Sequence, residues 1–124
     1  MENKFIRDII DFFAEYGIVL TRGISSTQNQ KKERYGVLLR TGEPVLQSND
    51  MVQGYTVLWE ITVYSKSPLE DKVEREIMQM FRHIFKCPLG MMGESITQVG
   101  VDLVIATRYT FAQPLQIEGR LQDL

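Results

Sequence analysis

A chain of 124 residues that is 44% apolar and 24% charged has the size and balance of one globular domain, far from the composition of a disordered polymer. Its net charge of −2 and pI near 5.4 carry no surplus of Lys and Arg to advertise nucleic acid or an anionic membrane. The single cysteine, Cys87, excludes an internal disulfide, and beside the single histidine, His83, it cannot build a Cys/His zinc cage.

The N-terminal apolar stretch is broken by Arg7, Asp8, Asp11 and Glu15, unlike the core of a signal peptide. No run approaches the ~18 consecutive apolar residues of a membrane span. With a lone thiol suited to a reducing compartment, the expectation is a cytosolic, membrane-free single domain over residues 1–124.

Residues 3–16 place Phe5, Ile6, Ile9, Ile10, Phe12, Phe13 and Tyr16 at helical spacing, with Gly17 positioned to stop the helix. This apolar stripe is wide, so Phe5, Ile9, Phe12 and Phe13 are candidates for the core or for a subunit interface. Residues 18–20 form a short strand. Residues 23–34 are polar and aperiodic and read as a mobile loop. Its Lys31, Lys32 and Arg34 make the one tight basic cluster, either a solvated loop or a contact for a partner or phosphate.

A strand is expected over 34–40, a turn over Thr41-Gly42-Glu43-Pro44, and a lead-in over 45–50. Residues 51–64 then alternate with period two, Tyr55, Val57, Trp59, Ile61 and Val63 on one face. Ser67 and Glu70 have the spacing of a capping box, and Pro68 suits a first helical position, which predicts a helix from 68 or 69. Leu69, Val73, Ile77, Met80, Phe81 and Ile84 gather on one stripe able to lie across the Trp59 face. Trp59, Ile61, Ile77 and Phe81 are therefore the expected core. Pro88 and Gly90 end regular structure, residues 91–93 read as a flexible connection, and residues 96–112 as a long strand or hairpin. Val99, Val101, Leu103, Ile105, Tyr109 and Phe111 would share its apolar face, and residues 113–124 would form a C-terminal arm. The class is α+β: a single, mostly antiparallel sheet of four to five strands with two helices on one face.

Groups for chemistry are sparse. His83 lies at the border of the helix stripe and Cys87 follows four residues later, but a thiol at a helix C-terminus meets the negative pole of the dipole, which disfavours thiolate. Asp8, Asp11, Glu70, Asp71 and Glu74 are explained by solvation and helix dipoles. Asp102 and Arg108 share a polar strand face, with Glu60 and Thr62 available for cross-strand pairing. No phosphate-binding glycine loop or metal-ligand spacing is present. The expectation is a protein that works through surfaces, with no catalytic residue, cofactor or metal.

The opening helix around Phe5-Ile6-Arg7-Asp8-Ile9-Ile10-Asp11-Phe12-Phe13, the strand and turn Gly54 to Pro68, the helix through Phe85 and the strand from Ile96 form a pattern over residues 3–112. It resembles the tail-terminator and tail-completion proteins of long-tailed bacteriophages, the head-tail joining and minor tail components. The resemblance implies a ring, commonly of six subunits, that caps the tail tube and offers the head a docking surface. It also implies a virion protein assembled in the host cytoplasm, with tail tube and head-tail connector proteins as partners, no reading of nucleic-acid sequence, and no catalytic residue. Two other readings stand beside it. Secretion chaperones are also small acidic α+β proteins, but they pair through a substantial C-terminal element and residues 115–124 are short; the other is a small enzyme using Cys87 and His83.

Overall fold

The computed structural model describes residues 4–23, 30, 32–42, 45–48 and 51–115, with backbone alone at 42, 45–48, 51–56, 91–92 and 114–115. In chain order it contains α1 (Lys4–Ala14), β1 (Val19–Arg22), β2 (Arg34–Gly42), β3 (Val45–Ser48), β4 (Met51–Ser65), α2 (Asp71–His83), β5 (Gly90–Val99) and β6 (Asp102–Leu115). One sheet runs in the order β1-β2-β4-β6-β5, and the short β3 pairs with the first half of β4 on the β2 side. Only the β1–β2 pair is parallel. The fold is α+β, with a single and mostly antiparallel sheet.

The odd positions of β4 dictate where the core sits. Val57, Trp59, Ile61 and Val63 are buried and meet Leu20 of β1, Leu38 of β2, and Tyr109 and Phe111 of β6 in one cluster. Both helices lie on this face. Ile6, Ile9, Phe12 and Phe13 come from α1, and Val73, Ile77 and Phe81 from α2. Trp59 is fixed at both ends: its Nε1–H donates to Gln113 Oε1 at 3.2 Å, and the Arg22 guanidinium lies 5.0 Å from the ring centroid. Burying large apolar side chains of this kind contributes about 1.5–3 kcal/mol each, so the cluster is the main favourable term for the fold.

α1 ends as its sequence suggests. Gly17 takes φ 73°, its N–H bonds to Ala14 C=O at 3.0 Å, and Ile18 N–H bonds to Phe13 C=O at 3.2 Å. This is a Schellman closure, with Phe13 and Ile18 both buried beside it. Two phenol–carboxylate bonds then tie α2 to its neighbours. Tyr16 donates to Glu76 at 2.6 Å and Tyr109 of β6 donates to Glu74 at 3.3 Å.

Four local expectations are corrected, and one left open is settled. The reversal expected over residues 41–44, of which 43 and 44 lie outside the described residues, falls instead between β3 and β4: β2 continues to Gly42 with a register shift after Arg40, and β3 pairs along the same edge of β4 in the same direction as β2. α2 starts at Asp71 rather than at 68 or 69, with Glu70 at the N-cap and no side-chain capping bond. Pro68 disfavours helical backbone at Ser67, and the Glu70 carboxylate is held instead by Arg34 Nη2 at 2.8 Å. Residues 91–93, expected as a flexible connection, belong to β5. Of the two forms open for residues 96–112, long strand or hairpin, the structure has the hairpin, β5–β6, turning at Gly100, φ 64°, and Val101. β6 also runs to Leu115, so the C-terminal arm is shorter than expected and its residues 116–124 lie outside the described residues.

Two stability outcomes follow. Phe81→Ala, at a fully buried site, is expected to lower the unfolding free energy by about 3–5 kcal/mol in urea titration. Ser65→Ala is expected to be neutral or stabilising, because the buried Ser65 hydroxyl finds no hydrogen-bond partner among the described residues. The tyrosines set an alkaline limit. The hydrogen bond to Glu76, and then burial, push Tyr16 from its ordinary value of 10.0 up to about 12, while burial and Glu74 raise Tyr109. A raised phenol stabilises the fold fully below pH 10 and loses that contribution as pH rises through the folded value. Melting temperature should therefore fall between pH 10 and 12, and Tyr16→Phe should flatten that fall.

Candidate functional site: uncovered sheet surfaces

The helices end before the sheet does. Along the helix-facing side of β6, Phe111, Tyr109 and Thr107 are buried, Ile105 is half-buried, and Leu103 is 69% exposed. Across the register from Ile105 stands Ile96 of β5, 75% exposed, and Val101 at the hairpin turn is 94% exposed. These side chains form an apolar tip on the β5–β6 hairpin. β5 is also an edge strand, with no partner on its outer side among the described residues. Its defence is modest: a register shift between Met91 and Gly93, where Gly93 adopts φ 121°, and the exposed Glu94.

The opposite face has no helix, yet it is not flat. Tyr35, Val104 and Ala106 are buried there, and Tyr35 stacks on Tyr64 with ring centroids 5.0 Å apart and planes 18° from parallel. A hollow of about 310 Å³ is lined together by Tyr35 and Tyr64 and by Thr97 and Gln98 of β5, so the hairpin curls back over this face. Further along it, Thr62 and Arg108 are register partners, Thr62 Oγ1 donates to Glu60 Oε1 at 3.4 Å, and Arg108 Nε lies 4.0 Å from the same oxygen. The cross-strand pairing expected of Glu60, Thr62 and Arg108 is thus formed, while Asp102 sits at the far, exposed end of β6.

A third feature opens where β5 stops and β6 continues. The last β5–β6 partner pair is Gly90 with Thr110, so residues 111–115 pair with β4 on one side and with no strand among the described residues on the other. A hollow of about 410 Å³ opens near this edge and reaches across β4 to β2, lined by Thr41, Leu58, Pro88, Thr110 and Ala112, with Trp59 and Phe111 nearly fully buried beneath it.

The singled-out residues distribute as follows. Ile9, Phe12 and Phe13 lie inside the core, and Phe5 is partly buried against Phe85 and Phe111 at ring distances of 5.8 and 6.2 Å. Trp59, Ile61, Ile77 and Phe81 are all core residues. Of the basic trio, Lys31 lies outside the described residues, Lys32 is exposed, and Arg34 is paired with Glu70, its side chain 17% exposed. His83 and Cys87 are separated by environment. α2 ends at His83, which is exposed, and the chain leaves helical geometry through Lys86 at φ 59° before burying Cys87. Burial pushes the Cys87 thiol up to about 11. Among the described residues no group of three or more His, Cys, Asp or Glu is placed to hold a metal ion, and no helix is long and apolar enough to cross a membrane.

The uncovered tip was the feature sequence reasoning missed. Its signal was Gly100 in the middle of the supposed strand, with apolar residues at odd positions 99–105 and again at even positions 104 and 106, a pattern that a hairpin with both faces partly buried produces.

Native Cys87 should react with a thiol-specific disulfide reagent at least ~100-fold more slowly at pH 8 than in urea, the direction required by a buried thiol of raised pKa. Rapid native reaction would reopen a role for this thiol. No protein-family model matches the chain, and no curated protein matches it.

Proposed function

We propose that the protein is a structural subunit of a long-tailed phage or prophage virion, a tail-terminator or tail-completion protein. Its copies assemble in the bacterial host cytoplasm into a ring, six subunits being the expected number, at the head-proximal end of the tail. The ring caps the tail tube and presents a joining surface to the head-tail connector proteins. The observation that carries this reading is the apolar β5–β6 tip on an open edge strand, Ile96, Val101 and Leu103 together. Monomeric proteins blunt or cover such edges, because unpaired backbone groups beside apolar side chains recruit another chain. An edge that meets a different surface of the next copy makes a heterologous contact, which closes into a ring when the rotation per subunit permits. The long β2–β3/β4 hairpin supports the same role. Residues 51–54 pair with β3 and, among the described residues, with no other strand, a projection suited to reaching a neighbouring layer such as the tube.

The test is electron microscopy with native mass spectrometry over a concentration series, alone and with tail tubes added. Closed rings with a central hole are the expected result. Leu103→Asp should remove them while leaving unfolding free energy within about 0.5 kcal/mol of the parent, as for a surface change. A compact dimer at every concentration, or a monomer that ignores tail tubes, would contradict the proposal.

A further inference from the structure

The outer side of the two helices is charged, and the charges are sorted. α1 and α2 lie side by side and antiparallel: Phe5 and Phe12 sit against Phe85 at ring distances of 5.8 and 6.0 Å, Phe13 against Phe81 at 6.3 Å, and Tyr16 bonds to Glu76. On the exposed side of α1, Asp8 is closed on Lys4 at 2.9 Å and Arg7 stands near the N-terminal end, while Asp11 and Glu15 are exposed and make no ion pair among the described residues. On α2 the balance is opposite. Glu74 and Glu76 are held by tyrosines and Glu70 by Arg34, and Asp71 in the first turn is the acidic exception. Lys72, Arg75 and Arg82 share the exposed side, opposite the buried Val73, Ile77 and Phe81, and make no ion pair among the described residues. The helix layer is an acidic ridge beside a basic one.

Between the ridges lies a hollow of about 240 Å³. Asp8, Asp11 and Glu15 give it an acidic wall on α1, Phe12, Met80 and Phe85 line the rest, and Ile84 at the end of α2 borders it, 63% exposed. Ridges of opposite sign make this layer complementary to a second copy of itself. A two-fold axis running along the groove keeps each residue at its level along the helices and exchanges the ridges, so that α1 of one copy lies over α2 of the other. Asp11 and Glu15 then arrive over the stretch from Arg75 to Arg82, because Tyr16 is level with Glu76 and Phe12 with Phe85. A two-fold axis running across the helices instead sets acid over acid and base over base, a repulsive arrangement. The first pairing is isologous, each contact occurring twice.

We propose that two copies of the chain pair face to face through their helix layers, about a two-fold axis along the α1–α2 groove. Asp11 and Glu15 of each copy meet Arg75 and Arg82 of the other, and Ile84 of each is withdrawn from water at the other's hollow. This surface is separate from the β5–β6 tip, and the pairing does not depend on the ring reading. Where both contacts form, the two-fold axis links one ring to another.

The test is made in the Leu103→Asp chain, so that assembly through the tip does not contribute. Sedimentation equilibrium should show a monomer–dimer equilibrium that weakens as salt is added. Two charge-reversed forms are then compared, one with Asp11→Lys and Glu15→Lys, the other with Arg75→Glu and Arg82→Glu. Each should weaken the dimer at least ~10-fold while remaining folded by circular dichroism, because the symmetry doubles every substituted pair. An equimolar mixture of the two forms should recover a dimer with one copy of each, since opposite charges again meet across the axis. A Leu103→Asp chain that stays monomeric at every concentration would overturn the proposal, as would a dimer indifferent to both reversals or a mixture that recovers none. Rings in the parent chain beside a monomeric Leu103→Asp form would defeat the pairing and leave the ring reading standing, whereas charge-sensitive dimers of a parent that never forms rings would support the pairing and count against the ring.

Discussion

A mismatch of lengths governs this protein. β4 and β6 contain 15 and 14 residues, which at strand rise is roughly 50 Å each, while α1 and α2 contain 11 and 13, about 16 and 20 Å at helical rise. Two such helices cover the middle of the sheet and no more. They settle over Val57, Trp59, Ile61 and Val63 because that is where the apolar side of β4 is continuous with β1, β2 and β6. Everything beyond this floor is strand without a lid.

The consequences differ at the two ends of the sheet. At one end the β5–β6 hairpin projects with Ile96, Val101 and Leu103 in water, and its curl toward Tyr35 and Tyr64 buries only the opposite side. At the other end β5 stops at Gly90, leaving the last stretch of β6 paired with β4 on one side and with no strand among the described residues on the other. A chain of this size buries only about two thirds of its unfolded surface even when well closed, so leaving apolar tips and backbone edges exposed costs stability that a monomer has no means to recover. Association would offset that cost. This is why the surfaces, rather than any cluster of ionisable groups, carry the functional reading. Glu74 and Glu76 accept from tyrosines that anchor α2, Glu70 accepts from Arg34, and the buried thiol sits away from the exposed histidine.

Much of the architecture was legible in the residues. Period-two alternation in β4 and the helical stripes of α1 and α2 identify the core because burial on one face leaves that mark directly, and Gly17 marks its helix end through the positive φ it adopts. What failed depended on partners distant in sequence. The Ser67–Glu70 spacing read as a capping box because Arg34, 36 residues upstream of Glu70, is invisible to local pattern. Gly42 read as a turn because nothing local reports that β4 is long enough to carry β2 and β3 on the same edge. The basic cluster likewise lost Arg34 to that same ion pair. Gly100 signalled the hairpin, but not that its tip is uncovered, since exposure is set by where the helices stop and not by the identity of Ile96 or Leu103.

Hydrogen–deuterium exchange on the free and assembled protein tests the central claim most directly. If the length mismatch defines the assembly surfaces, amides of residues 57–63 are slow to exchange in both states, while those of 93–99 and 111–115 are fast in the free subunit and become protected on assembly. Assembly that leaves both segments unprotected, or protects the helices instead, would contradict the account.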